Sequence, residues 1–207
     1  MNFREYGLFL VAALAVIIAP GPDIFYVLSR AVSSGRRIGC IAAFGIAWGE
    51  VVHTILAILG LAALIQTSAL AFIVLKYVGG AYLIYLGLRA LHEPSQIALE
   101  TFALASGRKA FRQGVLTNLF NPKAVLFFVT FLPQFVNPSS GHVQLQLALL
   151  GLTFAVLDVI ALVALAFAAG TVHSWLARKP KTAKCVRVGT GSILVGLGIR
   201  LALTERN

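Results

Sequence analysis

Two short stretches, Pro20-Gly21-Pro22-Asp23 and Asn121-Pro122-Lys123, decide how this chain folds, because each interrupts a long apolar segment with a helix break and a charge. Proline removes a backbone donor and ends or kinks a helix. A charge at the centre of a bilayer is costly unless it is paired or faces water. A broken helix is tolerated there only beside a protected cavity. Two such breaks in one chain are typical of a binding site inside a membrane domain.

The composition places the rest of the chain in a membrane. Of its 207 residues, 59% are hydrophobic and 12% are charged, which is too apolar for a soluble domain of this size. Apolar runs of about 20 residues, the length that an α-helix needs to cross the hydrocarbon layer, recur along the chain. They span approximately residues 6–29, 39–64, 69–90, 112–136, 145–172 and 185–203. We therefore predict an all-α integral membrane protein with six transmembrane helices, of which the first and fourth are broken at proline.

The net charge of +10 does not indicate nucleic-acid binding, because the basic residues are segregated by loop. Twelve of the 17 Lys and Arg residues lie in three connections: Arg30, Arg36 and Arg37; Arg89, Arg108, Lys109 and Arg112; and Arg178, Lys179, Lys181, Lys184 and Arg187. The intervening connections, 66–68 and 137–144, contain none. Lys and Arg concentrate on the cytoplasmic side of membrane proteins, so we expect both termini to be periplasmic.

Segments three and six match each other, which suggests an internal repeat. Gly80, Leu83, Leu86, Gly87 and Arg89 align with Gly191, Leu194, Leu197, Gly198 and Arg200, and the breaks at Pro22 and Pro122 correspond. Each half has an odd number of spans, so the halves must cross the membrane in opposite directions, as inverted repeats do. We predict one transmembrane domain over 1–207, with repeat one at about 1–95, a cytoplasmic connection at about 92–111 and repeat two at about 112–207. The alternative is that Gly- and Leu-rich helices resemble one another by composition alone.

Four charged side chains fall near the middle of the predicted membrane when depth is counted at about 1.5 Å per residue. They are Asp23, Glu50, Lys123 and Asp158. Ions inside a membrane usually mark a pathway, so we interpret the four as one functional layer. Two structural alternatives stay open: Asp23 caps the helix that restarts at Pro22, and the other three form a buried cluster without a ligand.

His53 raises the alternative of a metal site. It follows Glu50 by one helical turn, and this Glu-x-x-His spacing is also used by metal sites in helical bundles. Lys123 in the same layer argues against a bare cation site. We therefore predict neither a metal nor a cofactor.

Glycines on two of the segments predict close helix packing. Gly45 and Gly49 form a small-residue face on segment two, and Gly79, Gly80 and Gly87 do the same on segment three. Such faces let helices approach closely, within the bundle or across a homodimer.

Taken together, these motifs resemble the lysine exporter (LysE/RhtB) family of bacterial amino-acid exporters, and the resemblance covers nearly the whole chain. It rests on Pro20-Gly21-Pro22, the second segment ending in Glu50 to His53, the run 79–89, and the stretch GVLTNLFNPK at 114–123. The resemblance implies a small, multi-pass protein of the bacterial inner membrane that exports amino acids, driven by the proton gradient, and is not an enzyme. It marks as signature positions Pro20, Gly21, Pro22, Asn118, Asn121, Pro122 and Lys123.

Our functional hypothesis is a proton-coupled exporter of a neutral or weakly charged amino acid of the homoserine, threonine or lysine type. The restarting helices at both breaks would present backbone amides to the substrate carboxylate. Asp23, Glu50 and Asp158 would hold its ammonium group and exchange protons, while Lys123 keeps the layer near neutrality. The rivals are a divalent-metal exporter that uses these carboxylates with His53, and an intramembrane hydrolase that uses Asp23 and Asp158 as acid and base.

Overall fold

The computed structural model describes the backbone of residues 3–61 and 104–178, and the side chains of 5–60 and 104–169. It also describes scattered helical positions between 70 and 91 and between 188 and 199. Every regular element in these ranges is helical, which confirms the predicted all-α class for this part of the chain. Segments three and six lie largely outside the described residues. The alignment behind the inverted repeat therefore stays a prediction.

The first apolar segment is two helices joined at a bend. Helix α1 covers Phe3–Ile18 and helix α2 covers Pro22–Ser34, and their axes differ by 53°. Pro22 begins α2, where its missing N–H has no intrahelical partner to lose. Gly35 then turns the chain with φ at +90°, a conformation that suits glycine, and α3 follows at once over Arg36–Leu56.

The second broken segment repeats this pattern. Helix α4 covers Gly107–Leu119 and α5 covers Pro122–Leu126, and the bend between α4 and the helical stretch Pro122–Phe135 that α5 begins is 51°. The chain continues from α5 through a π-helical turn at Phe127–Phe131 and a 3₁₀ turn at Leu132–Phe135. A second 3₁₀ turn at Pro138–Ser140 leads to the long helix α6, Val143–Arg178.

Two of the described helices are long and apolar enough to cross a membrane unbroken: α3 with its following π-helical turn, and α6. Each bent pair passes the same test when it is taken as one broken span, which gives up to four spans among the described residues. These correspond to predicted segments one, two, four and five. The total of six spans and the inverted arrangement remain predictions.

Several helix ends differ from the predicted boundaries. Helix α6 runs to Arg178 rather than 172, and α4 begins at Gly107 rather than 112. Arg30, which we had assigned to the first basic connection, lies within α2 and is only 2% exposed. Hydropathy locates the apolar stretch but not the last hydrogen-bonded turn, so a helix that continues into polar sequence is underestimated.

Helix α3 is the centre of the described bundle and packs against α2, α4 and α6. Buried apolar side chains form two clusters on either side of the charged residues. One cluster joins α1, the turns after α5 and the first half of α6; the other joins α2, α3, α4 and the second half of α6. The charged layer thus separates two packed apolar regions.

Glycine allows the closest helix contact. A Cβ on Gly114 would lie 2.5 Å from the Ala42 carbonyl oxygen, and one on Gly45 would collide with the Phe111 carbonyl. A Cβ on Gly49 would lie 2.7 Å from Asn118 Oδ1. The predicted small-residue face on segment two is confirmed as a packing surface against α4. This face is therefore occupied within the bundle, while the predicted glycine face of segment three lies outside the described residues.

Candidate functional site

Lys123 closes the end of α1. Its Nζ atom donates hydrogen bonds to the carbonyl oxygens of Val16 and Ala19, both at 3.1 Å. Carbonyls in the last turn of a helix have no intrahelical donor and carry the negative end of the helix dipole, which makes them good partners for an ammonium group. Gly21 leaves room for this contact, because a Cβ there would come within 3.3 Å of Lys123 Nζ.

Asp23 makes the opposite contact, from the first break to the second. Its Oδ2 atom accepts from Asn121 Nδ2 at 2.7 Å and from Asn118 Nδ2 at 3.3 Å. Asn121 also caps α5, since its Oδ1 accepts from the backbone N–H of Lys123 at 3.0 Å. That amide is therefore already hydrogen-bonded, contrary to our expectation that the second break would present it to a substrate.

The two breaks are thus bound to each other in both directions. We call these bonds the crossed contacts: Lys123 with the carbonyls of Val16 and Ala19, and Asp23 with Asn118 and Asn121. The Asp23 side chain does not cap α2, as one alternative proposed, because its hydrogen bonds go to α4 and to the cap of α5. Its position in the first turn of α2 still suits a negative charge.

Glu50 and Asp158 form a second group, on the two unbroken helices. Their carboxyl groups approach within hydrogen-bonding distance of each other, and the side chains are 1% and 5% exposed, respectively. Asp23 and Lys123 are close enough to interact electrostatically with both. The four charges that we placed in one layer are therefore brought together.

The remaining predicted site residues separate into two kinds. Gly21, Asn118 and Asn121 are buried in the layer, whereas the rings of Pro20, Pro22 and Pro122 are exposed. The prolines thus contribute the helix breaks, and the buried polar side chains contribute the chemistry.

Four buried side-chain oxygens lack a hydrogen-bond partner within the part of the chain that the structure describes. They are Asp23 Oδ1, Glu50 Oε2, Asn118 Oδ1 and Asp158 Oδ2. A buried polar atom without a partner typically costs about 1–3 kcal/mol, so four of them at one level need an explanation. All four are acceptors, and they therefore suit a ligand that supplies donors, such as an ammonium group or a proton.

His53 does not point to a metal site. Its Nε2 atom lies 3.4 Å from the Asn118 carbonyl oxygen, and its ring stacks on Phe128 with centroids 5.4 Å apart. Among the described residues, no group of three or more His, Cys, Asp and Glu side chains is placed to hold a metal ion. The geometry thus gives no specific support to the metal alternative.

Sequence reasoning missed a second polar contact between α2 and α4. Arg30 donates to Gln113 Oε1 and lies over the Tyr26 ring, 5.4 Å from its centroid, while the Tyr26 hydroxyl donates to the Ala110 carbonyl at 2.8 Å. The spacing of Asp23, Tyr26 and Arg30 at i, i+3 and i+7 on one face of α2 was the available signal.

Apolar spanning helices, two helix breaks and a buried charged layer are features that membrane transporters share. The comparison with known sequences supplies the family: a profile of the LysE type translocator family matches residues 14–205. The chain belongs to this family of membrane transporters, which confirms the resemblance drawn from its motifs.

Individual relatives match over nearly their full length. The uncharacterized membrane protein YrhP of Bacillus subtilis is 36% identical, over 94% of this chain and 96% of its own. An uncharacterized membrane protein of Pseudomonas aeruginosa is 32% identical, over 98% and 96%. The leucine efflux protein of Salmonella typhimurium is 31% identical, over 98% of this chain and 99% of its own. No solved structure matches the chain significantly.

Proposed function

We propose that this protein is a proton-coupled exporter of amino acids across the bacterial inner membrane. The observation that carries the proposal is a set of four acceptor oxygens with no hydrogen-bond partner among the described residues, buried where two broken helices meet two unbroken ones. An amino acid brings an ammonium group, which is a triple donor. Membership of the LysE type translocator family and a relative named for leucine efflux support the same reading.

The substrate would lie across the first break. Asp23 and Asn118 would accept from its ammonium group through their free oxygens, and the first turn of α2 would face its carboxylate with the positive end of the helix. Gly21, Asn121 and Lys123 would hold this geometry, with Pro20, Pro22 and Pro122 maintaining the breaks. The named relative adds leucine to the neutral or weakly charged substrates that we expected, of the homoserine, threonine and lysine type.

Proton influx would supply the energy. Each charge that moves inward down the membrane potential contributes about 2.3 kcal/mol per 100 mV, enough for roughly a 50-fold gradient of substrate. We propose that this proton is exchanged within the group of buried carboxyls formed by Asp23, Glu50 and Asp158. We propose that six helices in two inverted repeats, about 1–95 and 112–207, rock about this layer with both termini in the periplasm.

The test is transport by the purified protein in vesicles. Vesicles loaded with leucine, threonine, homoserine or lysine are diluted into substrate-free buffer, with and without an imposed proton gradient. We expect efflux of at least one amino acid that is faster with the gradient than without it and is absent from protein-free vesicles. Efflux of none of them from vesicles that contain folded protein would refute the proposal. Efflux that ignores the gradient would refute the proton coupling alone.

A further inference from the structure

Carboxyl groups occur in two different settings within the charged layer. Asp23 lies at a helix break, and two asparagine amides donate to one of its oxygens. Glu50 and Asp158 lie on α3 and α6, which cross the layer unbroken, and they contact each other. The two settings favour different charge states.

The Asp23 setting suits a carboxylate. Amide N–H groups donate to its Oδ2, so this oxygen needs no proton of its own. Within the ranges that the structure describes, its Oδ1 and the Oδ1 of Asn118 have no hydrogen-bond donor, and the two side chains are hydrogen-bonded to each other. A carboxylate oxygen and an amide oxygen can both accept from an ammonium group, and the negative charge of the carboxylate attracts it.

The contact between the Glu50 and Asp158 carboxyl groups requires a proton on one of them. Two ionised carboxylates have acceptors only, so they repel at hydrogen-bonding distance, whereas one proton between them converts the contact into a hydrogen bond. Each partner keeps one buried oxygen, Glu50 Oε2 or Asp158 Oδ2, that has no donor in the described part of the chain. These free oxygens are where a second proton could be received or the shared one passed on.

We infer that the two tasks of the transporter are divided between these settings: the Glu50–Asp158 pair carries the transported proton, and Asp23 with Asn118 binds the substrate ammonium. This inference rests on the proposed function and deepens it. The two settings interact electrostatically, with Lys123 in range of both and His53 in range of Asp23. An ammonium group arriving at Asp23 repels the proton on the pair, so binding of one cation favours release of the other. That exchange is antiport.

Amide variants separate the two tasks, because an amide keeps the shape of a carboxyl group but cannot release a proton. Wild type, Asp158→Asn, Glu50→Gln and Asp23→Asn are reconstituted in vesicles. Two rates are measured for leucine, threonine, homoserine and lysine: exchange of labelled for unlabelled amino acid at equal pH, and net transport driven by a proton gradient. Glu5→Gln, at the start of α1 and outside the layer, is the matched control and is expected to keep both rates.

For Asp158→Asn we expect exchange within about twofold of wild type and gradient-driven transport reduced at least about tenfold, a difference of about 1.4 kcal/mol or more. Glu50→Gln should behave in the same way and serves as the second variant if Asp158→Asn does not fold. Asp23→Asn should lose both rates. The inference is overturned if folded variants of the pair keep their response to the gradient, or lose exchange as completely as Asp23→Asn. Absence of any exchange by the wild type overturns the proposed function itself.

Discussion

Replacement of Gly114 with Ala tests whether the α3–α4 contact sets the geometry of the site. The added Cβ would lie 2.5 Å from the Ala42 carbonyl oxygen, and 3.2 Å from both Gly45 Cα and Ile46 N. An ordinary contact begins at 3.4 Å, so the two helices must separate by roughly 0.9 Å. All three opposing atoms are backbone atoms, and none of them can rotate away.

Overpacking of this kind costs about 1–3 kcal/mol, and the better helix propensity of Ala returns up to about 1 kcal/mol. With the full return subtracted, the net loss of up to about 2 kcal/mol corresponds to a decrease of up to roughly 8 °C in the unfolding temperature for a chain of this size. Transport should also decrease, because Asn118 lies on α4 within 3.3 Å of Asp23 and would move with the helix.

Thermal unfolding of the purified protein in detergent measures the first effect, and vesicle efflux measures the second. Gly7→Ala is the matched control, since a Cβ on this residue of α1 would meet no atom of the described residues within 4 Å. The reasoning fails if Gly114→Ala unfolds at the same temperature as Gly7→Ala and transports equally well.

Three further predictions follow from the breaks and the topology. Asn121→Ala removes a helix cap and a bond to a buried carboxylate, so it should lower the unfolding temperature by more than Asn137→Ala, which removes the cap of an exposed 3₁₀ turn; equal shifts would contradict this. Pro22→Ala should leave protein abundance unchanged but reduce efflux, because a more continuous helix fills the recess at the break; full efflux would show that the break is only tolerated. In a cysteine-free background, an impermeant thiol reagent added from the periplasm should label Ser140→Cys and not Ser34→Cys. If both positions lie on the same side of the membrane, the span count is refuted.

Proline and charge positions were sufficient to predict the breaks and the residues of the layer. Long apolar runs are rare in soluble proteins, and an ion inside one must be paired or functional, so Asp23, Glu50, Lys123 and Asp158 stood out without any structural information. The structure brings these four together. Membrane physics therefore made the charged residues of the layer predictable.

The contacts inside the layer were not predictable in the same way. Lys123 lies in electrostatic range of the three carboxyl groups, as we expected, but the sequence did not predict that its hydrogen bonds go to the carbonyls of Val16 and Ala19. Every residue type has a backbone carbonyl, so the sequence does not show which carbonyls accept a hydrogen bond from a side chain. The assignment of Arg30 to a loop was wrong for a related reason. A basic residue in a loop and a buried basic residue in the last turns of a helix look the same in the sequence.

The crossed contacts also determine the order in which the protein can fold during synthesis. Lys123 follows Ala19 by 104 positions, and Asn121 follows Asp23 by 98. At about 5–20 residues per second, synthesis delivers these partners roughly 5–20 s after the first break has entered the membrane. During that interval the end of α1 and the carboxylate of α2 have no protein donors from the second break. The first half must therefore wait beside water or the insertion machinery, and neither half can reach its final shape alone.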